Sequence, residues 1–196
     1  MQNPTKRRRN RLQYDRNDKL ITKSIDTTAA EVVKYLYKLG LTVSFAESCT
    51  GGMLSESITS VSGASEIFEC GVCSYSNRIK KEVLGVSEQT LKNFGAVSAE
   101  TAREMSEGVK KLSGANIAVS VTGIAGPTGG TPEKPVGTVW LCVMTDHSSA
   151  ARNLKLYDRG EELTRTYIRK LTTHKALEAV LEAAKQDYET RQKECL

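Results

Sequence analysis

The chain has 196 residues, 39% hydrophobic and 26% charged, the make-up of a single soluble globular domain long enough for a sizeable core. No apolar run is long enough to span a membrane and the start lacks the apolar stretch of a secretion signal, so the five irregularly spaced cysteines point to reduced thiols and a cytoplasmic setting. The net charge of +5 is unevenly spread: residues 1–24 hold eight cations against two carboxylates, a net of +6, which leaves the remainder near neutral at −1.

Residues 1–24 are poor in apolar groups and carry the run Lys6-Arg7-Arg8-Arg9, which reads as a flexible basic N-terminal arm. Such an arm fits a weak nucleic-acid or acidic-partner contact, and equally a solubilising leader. The domain then runs over 25–196. Asp26 or Thr27 is placed to cap a helix with Val32, Val33, Leu36 and Leu39 on one face, and Gly40 ends it. Leu41, Val43 and Phe45 alternate as a short strand. It leads into Glu47-Ser48-Cys49-Thr50-Gly51-Gly52, after which Met53 to Ile58 take up helical spacing.

Ile67 to Ser76 reads as the next strand, and Asn77 opens a short helix through Ile79, Val83 and Leu84 that stops at Gly85. Leu91 and Phe94 lie in another short helix. Ser98 caps a longer one from Thr101 through Leu112, closed by Gly114. Ile117 to Val121 is a buried strand entering the loop Thr122-Gly123-Ile124-Ala125-Gly126-Pro127-Thr128-Gly129-Gly130. Val136 to Met144 is a strand and Asn153 to Tyr157 a shorter edge strand. A long helix runs from about Glu161 to the C-terminus. Strands alternating with helices, with a strand pair near the end, predict α/β: a mixed sheet between helical layers. The loops at 46–52, 75–80 and 122–135 all follow strand ends, so parallel strands would gather them at one sheet edge, where open α/β folds hold ligands.

A strand, a Gly-bearing turn and a helix can place a small nucleophile at a helix N-terminus, where free amides stabilise an anion. Ser48 fits that role, and the same spacing fits a plain N-cap by Ser48 or Thr50. The loop 122–130 lacks both the Gly-Lys-Ser/Thr of a Walker motif and the dinucleotide fingerprint, which leaves a substrate-lining loop or a hairpin lead-in. Cys70 and Cys73 lie three apart on a strand, so their thiols diverge. With only two histidines and no metal-binding motif, no metal site and no cofactor are expected. Lys80 sits one turn into a helix whose start, Tyr75-Ser76-Asn77, follows a strand. It is either an exposed cation or, desolvated near Arg78 or Lys81, a base able to deprotonate a serine.

Ala46 to Gly52, Tyr75-Ser76-Asn77 with Lys80, Gly95-Ala96-Val97-Ser98, and Val121 to Pro127 with Pro135-Val136-Gly137-Thr138-Val139 together resemble one family. It is the CinA C-terminal domain family, which includes the nicotinamide mononucleotide amidases. The likeness spans roughly 26–186 and leaves out the basic tail. It implies a single-domain α/β/α sandwich that hydrolyses the carboxamide of nicotinamide mononucleotide to nicotinic acid mononucleotide and ammonia, and a homodimer. Carried over, Ser48 is the nucleophile, Lys80 its general base, and Tyr75 the group that orients the pair or relays a proton. Thr122 supplies a substrate-site hydroxyl. Substrate contacts then come from Cys49, Thr50, Gly51, Gly52, Thr122, Gly123, Gly126 and an arginine of the last helix, Arg165 by alignment, with Arg169 and Arg159 as rivals. An inactive binding module and a nucleic-acid-associated protein acting through the arm are the competing readings.

Overall fold

The described residues form a five-stranded sheet in which three strands are parallel: β1 (Val43–Glu47) lies between β2 (Phe68–Cys73), at one edge, and β3 (Ile117–Gly123). β4 (Val139–Met144) pairs antiparallel with β3, and β5 (Ser149–Asn153) antiparallel with β4 at the edge. The computed structural model describes residues 4–159 and 163–194, with side chains over 17–158 and 163–193. Its helices are α1 (Pro4–Leu39), α2 (Met53–Thr59), α3 (Asn77–Leu84), α4 (Glu88–Phe94), α5 (Ala99–Ser113) and α6 (Arg165–Glu194).

The alternation of side chains along each strand explains the layers. Val43, Phe45, Ile117, Val119, Val121, Val139 and Leu141 face one way and build the larger core with α1, α2 and α6. Ala46 and Ala118 face the other way, toward Leu84 of α3 and Met105 and Val109 of α5. Because these sheet residues are small, α5 lies close enough for Ser120 Oγ to donate to the Ala102 carbonyl at 2.5 Å and Ser106 Oγ to the Cys142 carbonyl at 3.2 Å. The result is the expected α/β/α sandwich with a mixed sheet. The carboxyl ends of β1, β2 and β3 share one edge, and the segments beginning at Ser48, Ser74 and Ile124 leave from it. No helix among the described residues is long and apolar enough to cross a membrane.

Three expectations are corrected. α1 does not start at Asp26 or Thr27 but runs unbroken from Pro4, with no glycine or proline until Gly40. Its hydroxyls do not cap; Thr22, Ser24 and Thr27 each donate to the carbonyl four residues back, at 2.8, 3.0 and 2.9 Å, which leaves the helix intact. Asp18 and Ile21 accordingly fall inside the fold, although the arm was expected to extend to 24. Both oxygens of Asp18 accept from Lys170 Nζ of α6 at 2.9 and 2.8 Å, and Ile21 is buried. The edge strand is Ser149–Asn153 rather than 153–157, because Thr145 Oγ1 accepts from the amides of His147 and Ser148 and turns the chain back early. α6 begins at Arg165, where Thr164 Oγ1 accepts from the Tyr167 amide; the expected start at Glu161 lies outside the described residues.

The α1 contacts give a stability prediction. Removing residues 1–16 should leave the unfolding temperature unchanged. Removing 1–24 loses the burial of Ile21, on the order of 2 kcal/mol, which lowers that temperature by about 5 °C. Thermal denaturation of the two truncations decides it.

Candidate active site

β1 is buried along its whole length and ends at Glu47, whose carbonyl accepts from the Ser74 amide at 2.8 Å. The Ser48 amide donates to Val121 O at 3.0 Å, so Ser48 is fixed between the ends of β2 and β3. Gly52 then caps α2 with φ 94°, a left-handed conformation that favours glycine, and gives no side-chain cap. The cap comes instead from the buried Glu47 carboxylate. Its oxygens accept from the amides of Gly52, Leu54 and Ser55 at 2.9, 3.1 and 2.8 Å, and from Ser55 Oγ at 2.6 Å. Ser55 reaches it because Gly71 leaves room: a Cβ there would lie 2.1 Å from Ser55 Oγ.

The plain-cap reading of Ser48 or Thr50 therefore fails, since the helix end is already served. This also narrows the anion-binding donors. The Gly51 amide donates to Ser48 O and the Gly52 amide to Glu47, while those of Cys49 and Thr50 donate to no other residue among the described residues.

Lys80 approaches from α3, whose N-cap Ser76 accepts from the Ile79 amide at 3.2 Å. One turn later the Lys80 side chain turns inward, 1% exposed, with Nζ 2.9 Å from Ser48 Oγ and 2.6 Å from Ser74 O. Burial pushes its pKa below the ordinary 10.5, opposed only by the thiols of Cys49 and Cys73. The neighbouring cations expected to help do not. Arg78 and Lys81 point outward and pair with Glu82 and Glu88. The alternative of an exposed helix cation is excluded for Lys80 by its burial.

Cys49, beside the serine, is a poor nucleophile: desolvation pushes its thiol up to about 12. Cys49→Ser should thus retain most turnover, because the amide at 49 is preserved. An assay of that variant beside wild type, with a thiol reagent on each, tests this; a dead variant would make the thiol essential.

Across the cleft, Thr122 Oγ1 donates to Ala96 O at 2.7 Å, so toward a ligand the hydroxyl can only accept. Arg165 opens α6 and donates to Gly126 O at 2.8 Å and to Tyr75 Oη at 2.9 Å. Tyr75 is therefore paired with Arg165 rather than with Ser48 and Lys80. Arg169, one turn on, donates through Nε and Nη2 to Thr50 O at 3.2 and 2.6 Å and braces the serine turn from behind. The Arg159 side chain lies outside the described residues. These groups enclose a cleft of about 210 Å³ lined by Ser48, Lys80, Tyr75, Asn77, Thr122 and Arg165, among others.

The sequence model of the CinA C-terminal domain matches residues 25–184, most of the chain. The chain belongs to the CinA C-terminal domain family. A CinA-like protein of Thermotoga maritima is 53% identical over 135 residues, 69% of this chain and 33% of that one. One from Akkermansia muciniphila is 46% identical over 156 residues, 80% and 37% of the two chains. The chain spans about a third of the length of these curated relatives. Among solved structures, the competence/damage inducible protein CihA of Agrobacterium tumefaciens is similar at TM-score 0.78 and 40% identity, covering 83% of this chain and 96% of that one. A CinA superfamily protein of Klebsiella pneumoniae gives TM-score 0.77 at 29% identity, covering 83% and 98%.

Every residue lining the cleft lies inside the matched CinA region. Of the residues that the CinA resemblance pointed to, Ser48, Cys49, Lys80, Tyr75, Thr122, Gly123 and Arg165 meet at the cleft. Thr50, Gly51, Gly52 and Gly126 do not line it. Asn77, Ala96, Val97 and Ala125 also line it; they lie within the motifs that carry the resemblance but were assigned no role in the site. Asn77 had a signal, since it follows the cap of a helix that leaves the sheet edge. Glu47 had none as a cap, because capping side chains are sought next to the helix and not on the strand before it.

Proposed function

We propose that this CinA domain hydrolyses the carboxamide of nicotinamide mononucleotide, giving nicotinic acid mononucleotide and ammonia through a serine acyl-enzyme. The observation that carries the reading is the buried Lys80 Nζ, 2.9 Å from Ser48 Oγ. A desolvated lysine favours its neutral amine, and a neutral amine at hydrogen-bond distance can take the serine proton. Ser48 Oγ then bonds to the amide carbon. The carbonyl oxygen becomes an oxyanion beside the Cys49 and Thr50 amides, the two donors of the turn left open by Glu47.

Collapse of the tetrahedral species breaks the C–N bond, and the Lys80 ammonium returns its proton to the leaving nitrogen, which departs as ammonia. Water, deprotonated by the same amine, attacks the ester; the carboxylate product leaves and Ser48 regains its proton. The Ser74 carbonyl keeps Nζ oriented through the cycle. Arg165 at the cleft mouth is a cation suited to the substrate phosphate. The test is ammonia release from nicotinamide mononucleotide by the purified protein, with nicotinic acid mononucleotide formed in equal amount. Absence of both products over a range of pH would sink the reading.

A further inference from the structure

The segment joining α4 to α5 forms one wall of the cleft, and side chains engage four of its consecutive carbonyls. Lys134 Nζ donates to Phe94 O and to Val97 O, at 2.8 Å each. Thr101 Oγ1 donates to Gly95 O at 2.8 Å and Thr122 Oγ1 to Ala96 O at 2.7 Å. The amides of Ala96 and Val97 have no hydrogen-bond partner among the described residues, and both residues line the cleft with Ser48 and Lys80. A main chain whose acceptors are engaged and whose donors are open selects oxygen acceptors.

Lys134 reaches this wall from another element, the loop between β3 and β4. There the Thr131 amide donates to Lys134 O at 3.0 Å and the Lys134 amide to Thr131 Oγ1 at 3.1 Å, a turn that fixes where the side chain departs. Thr101 and Thr122 hold the two middle carbonyls, and Lys134 alone holds the two outer ones. We propose that Lys134 is a positioning residue, clamping residues 94–97 so that the Ala96 and Val97 amides bind oxygen acceptors of the nucleotide substrate. The inference rests on the amidase reading for the identity of that substrate. Lys134 takes no part in the bond changes.

The test uses Lys134→Met, which keeps the stem and loses the donors, and Lys134→Arg, which restores them. With nicotinamide mononucleotide, Lys134→Met should raise KM roughly tenfold, the size of one or two lost positioned hydrogen bonds, and leave kcat within about twofold. Lys134→Arg should recover most of the loss. Crystal structures should find 94–97 displaced in Lys134→Met and in place in Lys134→Arg. An unchanged KM, an unmoved segment, or a fall in kcat at constant KM each overturns the proposal. Wild type that releases no ammonia sinks the amidase reading instead. Calorimetry with nicotinamide mononucleotide then decides the clamp: weaker binding to Lys134→Met than to wild type supports it, and equal or absent binding in both overturns it.

Discussion

Ser48→Ala and Lys80→Ala should each lower turnover by about a thousandfold or more, and the double variant should be little worse than either. Near-equivalence is expected because the two groups act as one unit. Without the hydroxyl no acyl-enzyme forms, and without the amine the hydroxyl keeps its proton. Their 2.9 Å contact is the only side-chain bond made by Ser48 Oγ among the described residues, so no second base stands ready. Substrate affinity should survive Ser48→Ala, since Arg165 and the 94–97 wall are untouched, and calorimetry on that variant checks this. Additive losses in the double variant would show two independent contributions and break the pair. Full activity in Lys80→Ala would require another base.

Glu47→Ala should be the most destabilising single change in the site. It removes a buried carboxylate that accepts four hydrogen bonds, three from amides at the start of α2. Those amides, one buried and two half-buried, would lose their acceptor, and losses of this kind together reach about 4 kcal/mol. The unfolding temperature should then fall by about 10 °C. Activity should fall further than the folded fraction does, because Ser48 is adjacent and the freed α2 amides would shift the turn in seeking new acceptors, displacing the Cys49 and Thr50 donors from the oxyanion. Glu47→Gln keeps one acceptor oxygen and should lie between the two. Thermal unfolding with turnover on the folded fraction separates the effects; a Glu47→Ala variant as stable as wild type would remove the carboxylate from its capping role.

Much of this site was legible in the sequence, for local reasons. Ser48 could be placed because Val43 and Phe45 alternate into a turn with two glycines. Lys80 could be placed because Ser76 and Gly85 bracket a short helix, and both do cap it. Ser98 and Gly114 fixed α5 in the same way. Failures came where tertiary contacts decide. Thr27 resembles a cap by type, but in α1 its hydroxyl bonds back to Lys23 O. The Lys80 pKa shift was assigned to Arg78 and Lys81, whose direction no sequence spacing reveals; burial under the β2–α3 junction is the cause. Arg165 and Arg169 are one turn apart and of one residue type. Only the fold sends the first to Tyr75 at the cleft and the second to the back of the serine turn.

The proposed proton transfer from Ser48 to Lys80 would be read directly in the pH dependence of kcat/KM on nicotinamide mononucleotide. Burial lowers the folded-state pKa of Lys80 below 10.5, so the amine is neutral, and competent, above that lowered value. The sign follows. Activity should rise with pH along one limb and level off once Lys80 is neutral, with an apparent pKa that belongs to the coupled pair. The unfolded chain holds the proton up to about the ordinary lysine pKa, so stability should also rise with pH between the two values. A single rising limb below 10.5 that is lost from the residual activity of Lys80→Ala is the predicted result; a flat profile, or the same limb persisting in Lys80→Ala, would contradict the Ser48–Lys80 mechanism.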